Sequence, residues 1–313
     1  MNKTIVTGGA GFIGSYLAEE LIRRGDRVVI LDNLSTGRIS NIEPVLKNKD
    51  AEFVRGSISD LRLLRKVFSR ADYVFHQAAL PSVPRSINNP RASHIVNATG
   101  TLNVLLAARD NNVKKIVFAS SSSVYGDTPT LPKIEDMTLT PQSPYAVTKL
   151  AAEHYCMVFE RVYGLKTVCL RYFNVYGPRQ DPGSPYAAVI PLFINNAIAG
   201  KPPVIYGSGE QTRDFTFVKD VVEANILAAE SQVTGIFNVG SGDRVTINRL
   251  AELVIKIVGD RTLKVVYQDA RPGDILHSLA DITRAAAFGY SPKYTLEQGL
   301  REVVTYLRKS GKK

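Results

Sequence analysis

The amino-acid sequence predicts an α/β protein with a Rossmann-type, doubly wound parallel sheet and a smaller C-terminal α/β lobe. Short apolar runs alternate with helical patterns in the first half of the chain, and a glycine-rich turn follows the first apolar run. After Tyr172 this alternation becomes less regular. Strands that are separated by helices imply parallel pairing with right-handed crossovers.

The individual elements follow from the same pattern. Strands are predicted at residues 4–6, 27–31, 51–54, 73–75, 115–119 and 166–170, and helices at 12–24, 61–68, 92–111 and 145–163. The second part carries helical patterns at 188–199, 220–230, 247–258 and 295–308, with short strands at 204–206, 235–239 and 264–267. We therefore expect a Rossmann domain over residues 1–174 and a lobe formed mainly by residues 175–313. A segment at about 214–240 is expected to return to the first domain.

Composition excludes several classes of protein. The 313 residues suffice for a sizeable core, and the 44% of hydrophobic residues is typical of a packed fold. No apolar run approaches the ~20 residues of a membrane helix, and Met1 leads directly into a strand without a secretory pattern, so we expect a cytoplasmic protein. The net charge of +10 is scattered except for a basic C-terminal tail, which does not favour nucleic-acid binding. Cys156 and Cys169 lack partners at metal-ligand spacing, so neither a metal site nor a disulfide is expected.

A dinucleotide site is predicted at the first strand–helix junction. Gly8, Gly11 and Gly14 follow the first strand and open the first helix, where glycine permits a tight turn and close approach of the backbone to a pyrophosphate. The helix N-terminus adds free N–H groups and a favourable dipole. Asp32 ends the second strand at about the ~20-residue offset of a ribose-binding carboxylate, which would repel a 2′-phosphate. These features favour NAD over NADP.

A catalytic pair is predicted at the start of a later helix. Tyr145 and Lys149 follow Pro144 at positions i and i+4, and therefore lie on one helix face. A nearby ammonium and a positively charged nicotinamide would stabilise the phenolate of a tyrosine, whose pKa is ordinarily ~10. The tyrosine could then take a proton from a sugar hydroxyl. The serine run 120–123 ends the preceding strand and should point into the ligand crevice. One of these hydroxyls could assist Tyr145, whereas Ser120 and Ser123 are interpreted as part of a polar turn.

Together these motifs resemble the extended short-chain dehydrogenase/reductase family and, within it, the NAD-dependent UDP-sugar 4-epimerases. The glycine turn, the serine run ending in Val124-Tyr125-Gly126, the Tyr145/Lys149 pair and the stretch 171–174 occur in that family's order over nearly the whole chain. Two positions depart from the pattern. Ser57 precedes Ile58 where many members have aspartate, and Pro81 stands where many epimerases carry a lysine. The stretch 76–86 is more similar to the subgroup that handles N-acetylated UDP-hexosamines.

The resemblance implies roles for individual residues. It implies a catalytic set of Ser121, Tyr145 and Lys149, with Ser122 close by. It also implies that Phe173 borders the nicotinamide with Tyr172. The implied NAD-binding residues are Gly8, Gly11, Phe12, Ile13, Gly14, Asp32, Asn33, Ser35, Thr36, Gly37, Ser57, Ile58, Gln77, Ala78, Ala79, Pro81, Asn97, Tyr145, Lys149 and Tyr172. The implied substrate-binding residues are Ser82, Ser121, Tyr145, Asn174, Gln180, Ala188, Val189, Ile205, Tyr206, Gln211, Arg213, Arg271, Asp274 and Ser278.

The implied reaction is inversion at C4 through a transient 4-ketosugar that turns about its bond to the diphosphate. Ser278 lies where some epimerases place a bulky tyrosine, so we expect room for an acetamido group, which Ser82 and Gln180 could hydrogen-bond. UDP-GlcNAc/UDP-GalNAc and UDP-Glc/UDP-Gal are therefore the expected substrates. The family commonly dimerises, and the apolar faces of residues 92–111 and 145–163 could form a four-helix bundle between two copies.

Three alternatives remain at this stage. A UDP-glucuronate 4-epimerase or decarboxylase would use Arg85 to meet the substrate carboxylate. A nucleotide-sugar 4,6-dehydratase would need an Asp-Glu pair immediately before Val124, where this chain has Ser122 and Ser123, which cannot act as a carboxylate acid and base. A non-catalytic NAD-binding regulator is also compatible with the fold, although the presence of the catalytic set argues against it.

Overall fold

A computed structural model describes residues 1–181, 183, 188–260, 262–270 and 275–310. Its strands are β1 (Lys3–Thr7), β2 (Arg27–Asp32), β3 (Ala51–Arg55), β4 (Tyr73–His76), β5 (Lys115–Ser121), β6 (Lys166–Tyr172), β7 (Val175–Tyr176), β8 (Val204–Tyr206), β9 (Thr212–Arg213), β10 (Thr216–Phe217), β11 (Gly235–Val239), β12 (Val245–Thr246) and β13 (Val266–Gln268). Its α-helices are α1 (Phe12–Arg23), α2 (Glu43–Leu46), α3 (Leu61–Val67), α4 (Val83–Asn88), α5 (Pro90–His94), α6 (Gly100–Asp110), α7 (Pro144–Tyr163), α8 (Val189–Ile198), α9 (Val218–Glu230), α10 (Ile247–Val258) and α11 (Leu296–Ser310). Short 3₁₀ turns lie at Ile39–Asn41, Ser122–Tyr125 and Arg284–Phe288. None of the described helices is both long and apolar enough to cross a bilayer.

The central sheet has seven parallel strands in the order β11-β6-β5-β4-β1-β2-β3. The predicted α/β doubly wound fold is therefore confirmed. The strand order reverses between β1 and β4, and in open α/β sheets ligands bind at the carboxyl ends of the strands at such a switch point. We therefore expect the ligand site to be formed by the residues that follow β1 and β4.

Both faces of the sheet are covered by helices because successive strand residues point to opposite sides. Val6 and Ile30 pack with α1 and α9, whereas their neighbours Ile5 and Val29 pack with α3, α6 and α7. The side chains of a third core join α8, α10 and α11 in the C-terminal lobe, and Phe12 at the start of α1 packs against them. The lobe thus contacts the end of the sheet where the ligand crevice is expected. The proposed domain boundaries stay a prediction.

The single helix predicted at 92–111 is interrupted in the structure. A π-helical turn, Ile95–Thr99, separates α5 from α6. The apolar periodicity does not reveal this turn, because it is stabilised by polar contacts. The Asn97 side-chain amide is bonded to both backbone groups of Leu80, and the Thr101 hydroxyl donates to the Asn97 carbonyl at 2.6 Å. The π-helical turn therefore helps to hold the loop after β4, which lines the site described next.

Candidate active site

The glycine turn between β1 and α1 is closely packed at positions where no side chain fits. Gly8 has φ +68°, and a Cβ built on it would lie 2.7 Å from backbone atoms of Ala78. A Cβ on Gly14 would lie 2.3 Å from the Gly8 carbonyl oxygen. Gly11 caps α1 without a side-chain hydrogen bond, so the first N–H groups of the helix lack a side-chain partner. The turn can therefore cradle a pyrophosphate through its backbone, as NAD requires.

Asp32 is fixed at the end of β2 beside this turn. Its carboxylate accepts hydrogen bonds from the Ala10 N–H at 3.0 Å and the Leu34 N–H at 2.8 Å. Burial raises the pKa of Asp32 above its usual value, and the two backbone bonds oppose that rise. A Cβ on Gly37 would lie 2.9 Å from both carboxylate oxygens, which explains the glycine at that position. The carboxylate remains on the cavity wall, where it can accept bonds from ribose hydroxyls.

These elements enclose a first cavity of about 260 Å³ along the carboxyl ends of β1, β2 and β4. Its wall includes most of the residues predicted to bind NAD: Gly8, Gly11, Phe12, Ile13, Gly14, Asp32, Asn33, Ser35, Thr36, Ser57, Ile58, Gln77, Ala78, Ala79, Pro81, Tyr145, Lys149 and Tyr172. Gly37 and Asn97 are not part of the wall: Gly37 packs against Asp32, and Asn97 is buried against Leu80. The prediction missed Leu31, Gly56, Leu80, Val96, Ala119 and Ser120, which carry no polar signal of their own or lie beside predicted residues.

Tyr145 and Lys149 lie on the first turns of α7, which begins with the predicted Pro144. The Ser143 hydroxyl caps this helix by accepting from the Ala146 N–H at 3.2 Å. The Lys149 ammonium donates to the Ala119 carbonyl at 2.8 Å and lies 5.9 Å from the centre of the Tyr145 ring. Burial lowers the pKa of Lys149 to about 8, and the Glu153 carboxylate opposes that change. Lys149 is therefore still mostly charged at neutral pH.

The phenol of Tyr145 faces the serines at the end of β5. Burial raises its pKa, and a hydrogen bond with Ser121 opposes the rise. All four serines, residues 120–123, line the second cavity described below, and the Ser120 hydroxyl donates to the buried carboxylate of Glu153 at 2.5 Å. The interpretation of Ser120 as part of a polar turn misses this buried contact. Ser120 therefore borders the cavities and also anchors the end of β5 to α7.

His76, at the end of β4, lies beneath the glycine turn and was not singled out from the sequence. Its Nδ1 lies 2.8 Å from the Thr7 hydroxyl and its Nε2 lies 2.9 Å from the Thr101 hydroxyl. Since Thr101 donates its only hydroxyl proton to Asn97, Nε2 must carry the imidazole proton. Burial, followed by the charge of Lys149, lowers the pKa of His76 to about 3. The imidazole is therefore neutral at physiological pH.

Tyr172 is held in place by a buried amide cluster. Its hydroxyl accepts from Asn225 Nδ2 at 2.7 Å and from Gln77 Nε2 at 3.1 Å, and Gln77 also donates to Asn225 Oδ1 at 3.0 Å. Tyr172 lines both cavities, as the implied place beside the nicotinamide requires. Asn225 was missed because it lies on α9, far away in the sequence.

A second cavity, of about 420 Å³, opens between the sheet and the C-terminal lobe. The residues predicted for substrate or catalysis that line it are Ser82, Ser121, Ser122, Tyr145, Asn174, Arg213 and Ser278. Phe173 lines it as well, and the prediction missed Val83, Ser120, Ser123, Gly126, Lys133, Val175, Ile275 and His277. Tyr145 belongs to the walls of both cavities, so its phenol lies where they meet.

Other predicted substrate residues lie apart from this wall. Gln180 donates to the Val175 carbonyl at 3.3 Å, and Gln211 donates to the Tyr206 carbonyl at 2.8 Å. Ala188 and Val189 form the start of α8, and Ile205 is buried in the lobe core. Arg271 and Asp274 lie outside the described residues.

Two residues of the second cavity adopt backbone conformations that side chains seldom occupy. Ser82 has φ 95° and Asn174 has φ 26°. Their neighbours hold them there: the Ser82 hydroxyl caps α4 at Arg85, and the Asn174 amide donates to the Asp214 carbonyl at 3.0 Å. Such strain clusters at binding sites, because the surrounding structure must maintain it. This observation supports a role for both residues in ligand binding.

Comparison with known proteins places this site in a family. The model described as the NAD dependent epimerase/dehydratase family matches residues 4–240. The chain belongs to this family.

Similar proteins narrow the class further. A putative UDP-glucose 4-epimerase of Methanocaldococcus jannaschii is 39% identical over 310 residues, covering 98% of this chain and 99% of the relative. The UDP-N-acetylglucosamine 4-epimerase of Methanobrevibacter ruminantium, solved in complex with UDP-N-acetylmuramic acid, is 44% identical with a TM-score of 0.96, and 99% of each chain is covered. The UDP-glucose 4-epimerase of Thermus thermophilus, solved with NAD, is 38% identical with a TM-score of 0.89, covering 98% of this chain and 99% of that one. The predictions of NAD as cofactor and of an NAD-dependent UDP-sugar 4-epimerase are thereby confirmed.

Proposed function

We propose that the chain inverts C4 of both N-acetylated and plain UDP-hexoses through a 4-keto intermediate. The observation that carries this proposal is the position of Tyr145, whose phenol lies where the two cavities meet, above the ammonium of Lys149. A hexose in the second cavity would bring its 4-hydroxyl to the same phenol that borders the cofactor cavity. Proton transfer and oxidation at one carbon could then occur together.

Each catalytic side chain has a distinct part in the proposed cycle. Tyr145, as phenolate, takes the proton from the 4-hydroxyl, and Lys149 stabilises the phenolate through its positive charge. The Ser121 hydroxyl, already bonded to Tyr145, orients the sugar oxygen. When bound, NAD would supply reversible hydride transfer at C4. After the ketosugar has rotated so that the opposite face of C4 is presented to the cofactor cavity, Tyr145 gives the proton back to the C4 oxygen, and the configuration at C4 is inverted.

This cycle requires a firm hold on the nucleotide and a loose hold on the hexose. Arg213 and Asn174, on the wall of the second cavity, are suited to the diphosphate, because a guanidinium and an amide donate several hydrogen bonds in fixed directions. The wall near the serines offers small hydroxyl side chains, including Ser82 and Ser278, which leave space around the ring. An acetamido group could occupy that space.

Product analysis tests the proposal directly. The holoenzyme is incubated separately with UDP-GlcNAc, UDP-GalNAc, UDP-Glc and UDP-Gal, and the C4 epimer is quantified. We expect interconversion within both pairs, and we expect Tyr145→Phe to lose at least about 100-fold in turnover while retaining NAD. Tyr73→Phe, a change at the amino end of β4 and outside the walls of both cavities, is the matched control. Absence of C4 inversion with all four sugars would favour the regulator instead.

We further propose that the protein is a homodimer. Helix α7 exposes Val147, Tyr155, Val158 and Val162, apolar or aromatic side chains that a monomer would leave in water, and Ile95 in the neighbouring π-helical turn is 40% exposed. Such a patch on paired helices is suited to a four-helix bundle with a second copy. Light scattering of the wild-type protein should give twice the chain mass of 34.3 kDa, and Val158→Asp should shift it towards one chain. A monomeric wild-type protein would contradict this proposal.

A further inference from the structure

Lys133 is a buried cation on the wall of the second cavity that the cycle above does not use. Only 3% of the residue is exposed. Its backbone is held firmly: the N–H donates to the Leu279 carbonyl at 2.8 Å, and the carbonyl accepts from the Asp281 N–H at 2.9 Å and from Asn238 Nδ2 at 2.8 Å. The side chain is thus presented from a rigid segment that runs beside Ser278.

The Lys133 ammonium forms no salt bridge with a carboxylate in the part of the chain that the structure describes. It donates to the Thr128 carbonyl, and no described carboxylate lies within 4.0 Å of it. Burial lowers the pKa of Lys133, and Asp127 opposes this only from farther away. Arg171, another deeply buried cation near the site, is paired with Glu153 through two bonds. Because buried charges are ordinarily paired, an anion in the cavity would complete the surroundings of Lys133.

The surroundings of Lys133 favour an anionic ligand. Among the described residues that line the second cavity are Lys133, Arg213 and His277, but no aspartate or glutamate. The proposed function assigns Arg213 to the diphosphate and leaves Lys133 without a ligand. The Ser123 hydroxyl, on the same wall, is buried and has no hydrogen-bond partner among the described residues. An acceptor with negative charge would satisfy both groups.

We propose that Lys133 binds a carboxylate carried by the hexose, so that the cavity accepts acidic UDP-hexoses besides neutral ones. This inference rests on the proposed function only in placing a UDP-hexose in the second cavity. The carboxylate can belong to C6 of a hexuronic acid or to an ether substituent at C3. Both present the same chemistry to an ammonium, and the experiment separates them.

Equilibrium binding to the NAD-loaded protein tests the inference without depending on turnover. The Tyr145→Phe background prevents reaction, and calorimetry measures the Kd of UDP-glucose, UDP-glucuronate and UDP-N-acetylmuramate. We expect Lys133→Met to weaken at least one acidic ligand at least about tenfold more than UDP-glucose, since truncation leaves a desolvated carboxylate unpaired. The acidic sugar that is affected identifies the carboxylate position. Lys133→Arg, which keeps the charge, should restore part of the affinity.

Lys115→Met is the matched control, because Lys115 is also 3% exposed but bonds three carbonyls at the far end of the sheet. It should not change the ratio of acidic to neutral affinities, and thermal unfolding verifies that each variant is folded. Equal losses for all three ligands, or no loss, would overturn the role of Lys133. So would a failure of the parent protein to bind either acidic sugar. Failure of the proposed function is distinct, since it appears as absence of C4 inversion by the wild-type enzyme.

Discussion

The guanidinium of Arg171 and the carboxylate of Glu153 form a buried two-point ion pair, with 2.9 Å for each hydrogen bond. Glu153 lies on α7 one turn beyond Lys149, and it also accepts from the Ser120 hydroxyl. Arg171 donates further to the Tyr125 hydroxyl at 2.9 Å. The pair therefore connects α7, the helix that carries Tyr145, to β6, and the bond from Ser120 to Glu153 connects the same helix to the end of β5. These contacts hold α7, which carries Tyr145 and Lys149, against the end of β5, which carries Ser121.

Arg171→Met should destabilise the fold strongly, because it leaves the carboxylate of Glu153 buried without its partner. We expect the free energy of unfolding to fall by about 3–5 kcal/mol, measured by denaturant unfolding. Arg301 provides the control, since its ion pair with Glu297 joins exposed side chains on one helix, and Arg301→Met should cost less than about 1 kcal/mol. Similar losses in both variants would show that the buried pair does not organise the core.

His76 should make the protein sensitive to acid. Its folded pKa of about 3 lies below the 6.5 of a free histidine, so between these pH values the unfolded chain binds a proton that the folded chain does not. The free energy of unfolding should therefore fall as the pH is lowered through this window, by about 1.4 kcal/mol per pH unit from this group. Between pH 6 and 4, the free energy of unfolding of His76→Asn, measured with denaturant, should change less steeply with pH than that of the wild type. The difference in slope should correspond to about one proton. The exposed His154→Asn is the control, and equal slopes in all three proteins would contradict the prediction.

Asp32 should determine the choice of dinucleotide. A carboxylate at the end of β2 accepts from ribose hydroxyls and repels a 2′-phosphate. We expect Asp32→Asn to weaken NAD binding by about 1.5–3 kcal/mol and to weaken NADP binding less, as measured by titration of the cofactor-free protein. Asp260→Asn, a change just after α10 and outside the walls of both cavities, should alter neither value. An unchanged NAD/NADP ratio would show that Asp32 does not read the ribose.

The features that the sequence predicts well are those set by short spacings. Gly8 follows β1 directly, Gly14 lies in the first turn of α1, Asp32 ends the next strand, and the Tyr145/Lys149 spacing is one helical turn. Local geometry alone therefore places these side chains. The alternation of strands and helices likewise predicts a parallel sheet, because a helix between two strands is typical of a parallel crossover.

The features that the sequence does not reveal depend on contacts between distant segments. Asn225 is hydrogen-bonded to Gln77, which lies 148 positions away in the sequence. Arg171 donates to the carbonyl of Glu135, which lies 36 positions away. Nothing in the sequence distinguishes Lys133 from the other lysines, because its burial depends on the folded structure. The π-helical turn also escapes prediction, because the side-chain bonds of Asn97 and Thr101 leave the apolar pattern of the helix intact.

Ser278 provides a test of sugar selectivity. The residue is only 9% exposed, lines the second cavity, and is anchored by its N–H to the Thr212 carbonyl at 3.1 Å. A tyrosine on this rigid segment would project its ring into the cavity and compete with an acetamido group for space. We expect Ser278→Tyr to lower kcat/KM for UDP-GlcNAc at least about tenfold more than for UDP-Glc, a difference of roughly 1.4 kcal/mol.

Initial rates of C4 inversion with both sugars measure this selectivity. Ser278→Ala serves as the control, because it removes the hydroxyl but leaves the space open, so the ratio of the two kcat/KM values should stay near that of the wild type. A similar change of ratio in Ser278→Ala would assign the effect to a lost hydrogen bond instead of steric exclusion. If Ser278→Tyr leaves both rates unchanged, residue 278 does not border the acetamido position and the N-acetyl group must lie elsewhere in the cavity.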